Sequence, residues 1–257
     1  MSESRNITYV SAPMAVSMAD KWFEIATTEH FWIRRRFDVF QKLAGDLVPS
    51  AKEVAEIGCG NGLLQKQIEA QYGRPVTGCD LNEYALQRNV SEKSPLLCYN
   101  IFEKREDLRQ RFDLIFLFDV IEHITEEAPF LEAVNFHLAP GGKLIVNVPA
   151  GQWAFSAYDR AAGHVRRYSI RMMRSAAQTQ GMEVRRWTYW GLPLLPTLAV
   201  RKVWLDGETD QDRVILKGFD ARSRFVDGCM ALLSKCEPIP QRLAGSSLMA
   251  VLQRKGS

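Results

Sequence analysis

The sequence is short of nearly everything that marks a specialised class. Its 33 lysines and arginines almost balance 30 aspartates and glutamates, leaving a net charge of +3. A chain so evenly charged lacks the basic field of a histone-like nucleic-acid binder. It has five cysteines, Cys59, Cys79, Cys98, Cys229 and Cys236, an odd count with no CxxC pair. This excludes a disulfide framework and predicts a reduced, cytoplasmic protein. The opening residues MSESRNITYV lack the basic and apolar regions of a secretory signal. The longest apolar stretch, 187–200, is interrupted by Gly191, Pro193 and Pro196 and is too short to span a membrane. Internal repeats and low-complexity tracts are missing.

What is present is ordinary globular material: 257 residues, 46% hydrophobic and 25% charged. A chain of this length buries roughly three quarters of its unfolded surface. Residues 1–50 read as a peripheral helical lid, with Phe31, Trp32, Phe37, Phe40 and Leu43 near helical spacing. Short apolar strands are then expected at 54–57, 76–79, 96–99, 114–118 and 143–148, with helices from 63 to 72, from Asn82, over 126–138 and over 170–180. A further strand is expected at 182–189 and a last one at 247–253. Apolar strands alternating with helices predict buried parallel strands in a doubly wound α/β sheet. The core is expected to span 51–190, a cap or insertion 191–245, and the last strand with its tail 246–257.

One loop sits where such folds bind nucleotides. EIGCGNG at 56–62 joins a strand to a helix, and glycines there allow backbone N–H groups to approach a ligand. Asp80 ends the next strand, placed to accept hydrogen bonds from ribose hydroxyls. Leu63 stands where a dinucleotide fingerprint needs its third glycine, which disfavours NAD.

VAEIGCGNG, VTGCDLN, CYNIF, FDLIFLFDVIEHI and LAPGGKLIVNVP occur in the order found in the class I S-adenosylmethionine-dependent methyltransferases, which this chain resembles over about residues 50–150. The resemblance implies a Rossmann-like seven-stranded sheet with a last antiparallel strand, and S-adenosyl-L-methionine as cofactor. It implies that Gly58 and Gly60 lie beneath the cofactor, that Asp80 holds the ribose, that Leu81, Asn100 and Ile101 surround the adenine, and that Phe118 and Asp119 face the methionine end. Glu56 orients the loop. EHFWIRRR at 29–36 resembles a lid segment of bacterial members, and Arg36 is the residue expected to pair with the cofactor carboxylate. A solvated face of three arginines is the alternative.

The chemistry is expected beyond the strand ends. If a helix begins at Asp119, then Asp119, Glu122 and His123 share one face at i, i+3 and i+4. His164, from the loop after the fifth strand, stands at the same edge. Asp119, Glu122, His123 and His164 are thus candidate ligands for Mg, Mn, Fe, Co or Zn. The pattern is similar to that of ubiquinone-pathway O-methyltransferases and of small-RNA 2′-O-methyltransferases. Without a metal, His123 is the candidate base and His164 anchors its loop. Arg166 and Arg167 suggest an anionic small-molecule substrate, unless they pair with Asp159 or face water. Segment 187–203 suits a buried cap, a substrate lid, a homodimer surface or a shallow membrane contact. The leading expectation is methyl transfer to a small-molecule acceptor, O-methylation favoured, in a biosynthetic pathway. C- or N-methylation with His123 as base, RNA 2′-O-methylation and a non-catalytic cofactor-binding role are the alternatives.

Overall fold

Short apolar runs become strands because each can be covered on both faces, and the helices between them supply the cover. In chain order, the elements are β1 (Ile7–Tyr9), α1 (Asp20–Ile25), α2 (Phe31–Ala44), β2 (Val54–Ile57), α3 (Leu63–Tyr72), β3 (Thr77–Asp80), α4 (Glu83–Gln87), β4 (Leu96–Cys98), β5 (Phe112–Phe118), α5 (Glu127–His137), β6 (Leu138–Pro149), α6 (Ala157–Ala161), α7 (Ile170–Thr179), β7 (Met182–Trp190), α8 (Leu195–Trp204), α9 (Gln211–Phe219), α10 (Arg224–Ser234) and β8 (Ser247–Arg254). This computed structural model describes residues 6–14, 20–205, 207–219 and 224–254.

The strands form one sheet in the order β1-β4-β3-β2-β5-β6-β8-β7. β1 to β6 pair in parallel, and β8 runs antiparallel between β6 and β7. The fold is therefore the expected doubly wound α/β sheet with an antiparallel last strand, and β1 extends it by one edge strand to eight. Residues 1–50 are accordingly not wholly helical. Ile7–Tyr9 registers on Leu96–Cys98, an edge where three residues suffice for pairing.

Side-chain alternation assigns the two faces. Ile115, Leu117, Leu144, Val146, Leu248 and Leu252 pack with Leu131, Val134 and Met173 of α5 and α7. Leu114, Phe116, Phe118, Ile145, Met249 and Val251 pack with Phe40 and Leu43 of α2 and Leu64 and Ile68 of α3. α2 buries Arg35 and Arg36 as well, at 2% and 5% exposure, so the solvated face of three arginines is not formed.

α5 stops one residue earlier than the expected helix, because Leu138 already pairs with Phe112, and Ala139–Gly142 bulge before Lys143 resumes register opposite Leu114. Segment 187–203 is likewise divided. Its first residues complete β7, and the rest turns at Gly191 into α8. α8, α9 and α10 occupy the insertion, with α9 against α6 and α10 against α2. Both ends of the insertion meet at Glu237, which accepts from the backbone N–H groups of Gly191 (2.6 Å) and Leu192 (3.0 Å) and pairs with Arg35 at 3.3 Å. No helix among the described residues is long and apolar enough to cross a membrane.

Candidate active site

Two cavities open at the carboxyl edge of the sheet. The first, about 360 Å³, lies over the β2–α3 loop. Gly58 and Gly60 both have positive φ, 73° and 52°. A Cβ at Gly58 would lie 2.5 Å from Val120, and one at Gly60 2.8 Å from Phe23, so both positions require glycine. Asp80 accepts from Gly60 N at 2.7 Å and Asn82 N at 2.8 Å and so fixes the loop to the end of β3. Burial raises the Asp80 pKa against these backbone hydrogen bonds. Glu56, on β2, is 3% exposed, and its pKa is pushed up to about 8 by burial, with Arg36 opposing. One of its carboxylate oxygens, Oε2, has no hydrogen-bond partner.

Six of the residues expected at the cofactor, Glu56, Gly58, Gly60, Asp80, Phe118 and Arg36, line this cavity, as does Asp119. Leu81, Asn100 and Ile101 do not line it, though they follow β3 and β4 at the same edge. Asn100 instead caps a turn, its side chain accepting from Phe102 N at 3.1 Å, and Ile101 is in the core. Trp22 and Phe23 of α1 also line the cavity, a contribution that the N-terminal sequence did not signal.

The second cavity, about 440 Å³, shares Trp22 and Asp119 with the first. Phe31, Trp32, Tyr158, Leu198 and Trp204 give it aromatic and aliphatic walls. Glu122 and His164 face this cavity, whereas His123 lines the first. Among the described residues, Glu122, His123 and His164 each place one ligand atom within 4.8 Å of the others. The two imidazoles stand edge to face, 4.8 Å apart.

Asp119 does not join this group. The i, i+3, i+4 face does not form, because Asp119 takes a φ of 57° and the chain enters a short 3₁₀ turn only at Ile121. Its carboxylate is occupied instead. Oδ2 accepts from Arg36 Nη1 at 2.5 Å and Oδ1 from Asn147 Nδ2 at 2.8 Å. Arg36, stacked between Trp32 and Phe118, is thus paired with Asp119 in this structure.

Glu122 is fully buried, and neither of its carboxylate oxygens has a hydrogen-bond partner. Burial, followed by the charge of Asp119, raises its pKa well above the carboxylate range. Burial and His164 push the His123 pKa down to about 3 against a hydrogen bond to the Gly163 backbone, so its imidazole is neutral. His164 Nδ1 is 2.9 Å from Asp159 Oδ1, which leaves Nε2 to face a ligand.

Asp159 is the residue that organises this loop. It accepts from Arg167 Nε (2.7 Å) and Nη2 (3.1 Å) and from Ser156 N (2.9 Å). Burial raises its pKa, but the His164 hydrogen bond and the Arg167 charge outweigh burial and hold it well below the carboxylate range. The expected anion site at Arg166 and Arg167 is therefore not formed. Arg167 is occupied by Asp159, and Arg166 pairs with Glu127 at 3.0 Å.

A doubly wound sheet carrying a glycine loop, an acid on the following strand and two cavities at the switch point defines a Rossmann-like nucleotide-binding domain. Comparison with known proteins narrows the class. The methyltransferase domain family matches residues 28–187, more than half of the chain. Ubiquinone biosynthesis O-methyltransferase of Coxiella burnetii is 33% identical over 101 residues, 36% of this chain and 42% of that protein. Its namesake in Rhodopseudomonas palustris is 32% identical over 123 residues, 46% of this chain and 47% of that protein. The matched stretch spans less than half the length of these curated relatives. The crystal structure of N-methyltransferase NodS from Bradyrhizobium japonicum, in complex with S-adenosyl-L-homocysteine, superposes with a TM-score of 0.51 at 14% identity, covering 87% of each chain, and shows a shared fold. The chain belongs to the class I S-adenosylmethionine-dependent methyltransferases.

Proposed function

We propose that the protein transfers the methyl group of S-adenosyl-L-methionine to a hydroxyl of a small aromatic acceptor, in a biosynthetic pathway, with help from a divalent cation. The observation that carries this reading is the placing of Glu122, His123 and His164 between two cavities, one over the glycine loop and one with aromatic walls. In the first cavity Asp80 accepts from the ribose hydroxyls, Gly58 and Gly60 make room for the cofactor, and Arg36 turns from Asp119 to the methionine carboxylate. Leu81, Asn100 and Ile101 remain the candidates for the adenine end. In the second, the aromatic walls hold the acceptor flat and exclude water. The reaction is an in-line displacement in which the acceptor hydroxyl, its proton released to solvent, bonds through oxygen to the methyl carbon and the sulfonium leaves as a neutral thioether, so alignment supplies much of the acceleration.

The donor set fits a cation. It combines a buried carboxylate without partners, a neutral imidazole, and a second imidazole whose Nδ1 is held by Asp159. A bound Mg, Mn, Fe, Co or Zn ion would lower the pKa of the acceptor hydroxyl and hold two neighbouring acceptor oxygens. Asp119, occupied by Arg36 and Asn147, is placed outside this set. A pKa of about 3 makes His123 a poor general base near neutrality, which favours the ligand role over the metal-free alternative.

The test is turnover after chelation. Metal-free protein should bind S-adenosylhomocysteine as before yet transfer no labelled methyl to a vicinal dihydroxyarene, and added Mn²⁺ should restore transfer. His164→Ala should behave like chelation. Normal turnover by the metal-free protein would reject the cation and return His123 to the role of base.

A further inference from the structure

A surface helix ordinarily turns its polar side to water. α8 does not. Leu198 and, just past its end, Leu205 are buried, as an inner face requires. Its outer side is apolar as well. Val200 and Val203 are 68% and 77% exposed, and Trp204 is exposed beside them. Positions 200, 203 and 204 stand at i, i+3 and i+4 and share one face. α10 repeats the pattern, with Leu232 at 71% exposure and Leu233 exposed next to it. Trp153, in the turn between β6 and α6, is exposed too, and Lys202 of α8 donates to its carbonyl at 2.5 Å. Both helices pack on the turn at 192–194, and both reach the second cavity, α8 through Val200 and α10 through Met230. Val200 is at once exposed and part of the cavity wall, so the apolar surface borders the cavity.

The charge on this surface has one sign. Segments 195–205 and 228–236 contain no aspartate or glutamate, and Lys202 and Lys235 are exposed on them. Single apolar residues on a surface need no explanation, but apolar outer faces on two helices flanking one cavity mark a docking surface. The charge decides what docks. In a two-fold contact a second copy of the chain would bring the same lysines together, with no acid on these segments to receive them. An anionic bilayer offers the opposite charge across its whole surface, and its headgroup boundary takes up valine, leucine and tryptophan. Tryptophan suits that boundary because its ring is apolar and its N–H stays near water. α8, at ten residues, can lie on a bilayer and is too short to cross one.

We propose that the outer faces of α8 and α10 dock the protein on the surface of an anionic lipid bilayer, with the second cavity beside the lipid. The inference goes beyond methyl transfer and depends neither on which acceptor is used nor on a cation. It gives the insertion two tasks. The inner face of α8 covers the cavity, and the outer face makes the shallow membrane contact that segment 187–203 suits.

The experiment is co-sedimentation of the full-length protein with two sets of vesicles, one of phosphatidylcholine and one of phosphatidylcholine and phosphatidylglycerol in equal amounts. The wild type should bind the anionic set about tenfold or more tightly than the neutral one, and added salt should erode that preference. A double variant, Val203→Glu with Leu232→Glu, should weaken binding to the anionic set by about tenfold or more. Neither residue lines a cavity, so its S-adenosylhomocysteine affinity and circular dichroism melt should match wild type. A second double variant, Lys202→Gln with Lys235→Gln, should bind the two sets equally. Failure of the wild type to bind the anionic vesicles, or undiminished binding by the glutamate variant, overturns the inference. So does a wild-type dimer in sedimentation velocity that the glutamate variant splits, since a second copy would then cover this face. Methyl transfer to a water-soluble dihydroxyarene, measured without vesicles, tests the earlier reading separately and should be equal in all three proteins.

Discussion

Replacing Glu56 with glutamine should stabilise the cofactor-free protein at neutral pH and not in acid. Glu56 is buried in the wall of the cavity over the glycine loop, and its pKa rises from 4.5 to about 8 on folding. The folded state therefore holds a proton that the unfolded chain releases. For an acid with a raised folded pKa, the stabilising contribution is fully present below the unfolded value and is lost as pH rises towards the folded one. The window runs from 4.5 to about 8. Each pH unit within it costs about 1.4 kcal/mol, so at pH 7 the wild type has lost roughly 3 kcal/mol. The glutamine carries no titrating group and escapes this loss, but its amide needs new partners in a buried site, at about 1–2 kcal/mol. The net expectation is a variant about 1–2 kcal/mol more stable than wild type at pH 7 and no more stable at pH 5. Urea unfolding at the two pH values measures this directly. A stability difference that does not change with pH would refute the reasoning. Glu56 lines the cavity proposed for the cofactor, so the stabilised variant should bind S-adenosylmethionine more weakly.

Asp80→Ala removes the acceptor for Gly60 and Asn82 and, in the proposed complex, for the ribose hydroxyls. S-adenosylhomocysteine affinity should fall about tenfold or more by calorimetry, and unchanged affinity would mean that this loop does not cradle the cofactor. Glu237→Ala leaves Arg35 buried without its carboxylate and removes the acceptor of Gly191 and Leu192. Unfolding free energy should drop by about 3–5 kcal/mol, with Glu237→Gln milder, and a loss below about 1 kcal/mol would contradict the clasp between α2 and the insertion.

The central sheet was legible in the sequence because its strands are short apolar runs punctuated by glycine, proline or aspartate. Val54–Ile57 and Leu63–Tyr72 match their expected bounds, since the glycine loop fixes one junction and Gly73 the other. The glycine positions and Asp80 were legible for the same reason, that a particular backbone or strand-end geometry demands them. Asp119 was misplaced because spacing arithmetic assumes a regular helix, and a single positive φ turns its side chain to Arg36. The sequence marks Asp159 only as a salt-bridge partner. Its bonds to His164 and Arg167 form in an irregular loop, where no periodicity announces which side chains converge. Arg35 and Glu237 are 202 positions apart, and neither residue alone signals burial. Arg201 stacks on Tyr158 of α6, a contact that no local pattern announces.

The most direct test of the account is a calorimetric titration of metal-free protein with Mn²⁺, run in parallel on wild type, Asp119→Asn, Glu122→Gln and His164→Ala. The wild type should bind one ion, and Asp119→Asn should still bind it, since Asp119 is held by Arg36 and Asn147. Glu122→Gln and His164→Ala should each weaken binding by about tenfold or more. Equal binding in all four proteins, or loss in Asp119→Asn alone, would contradict a centre built from Glu122, His123 and His164.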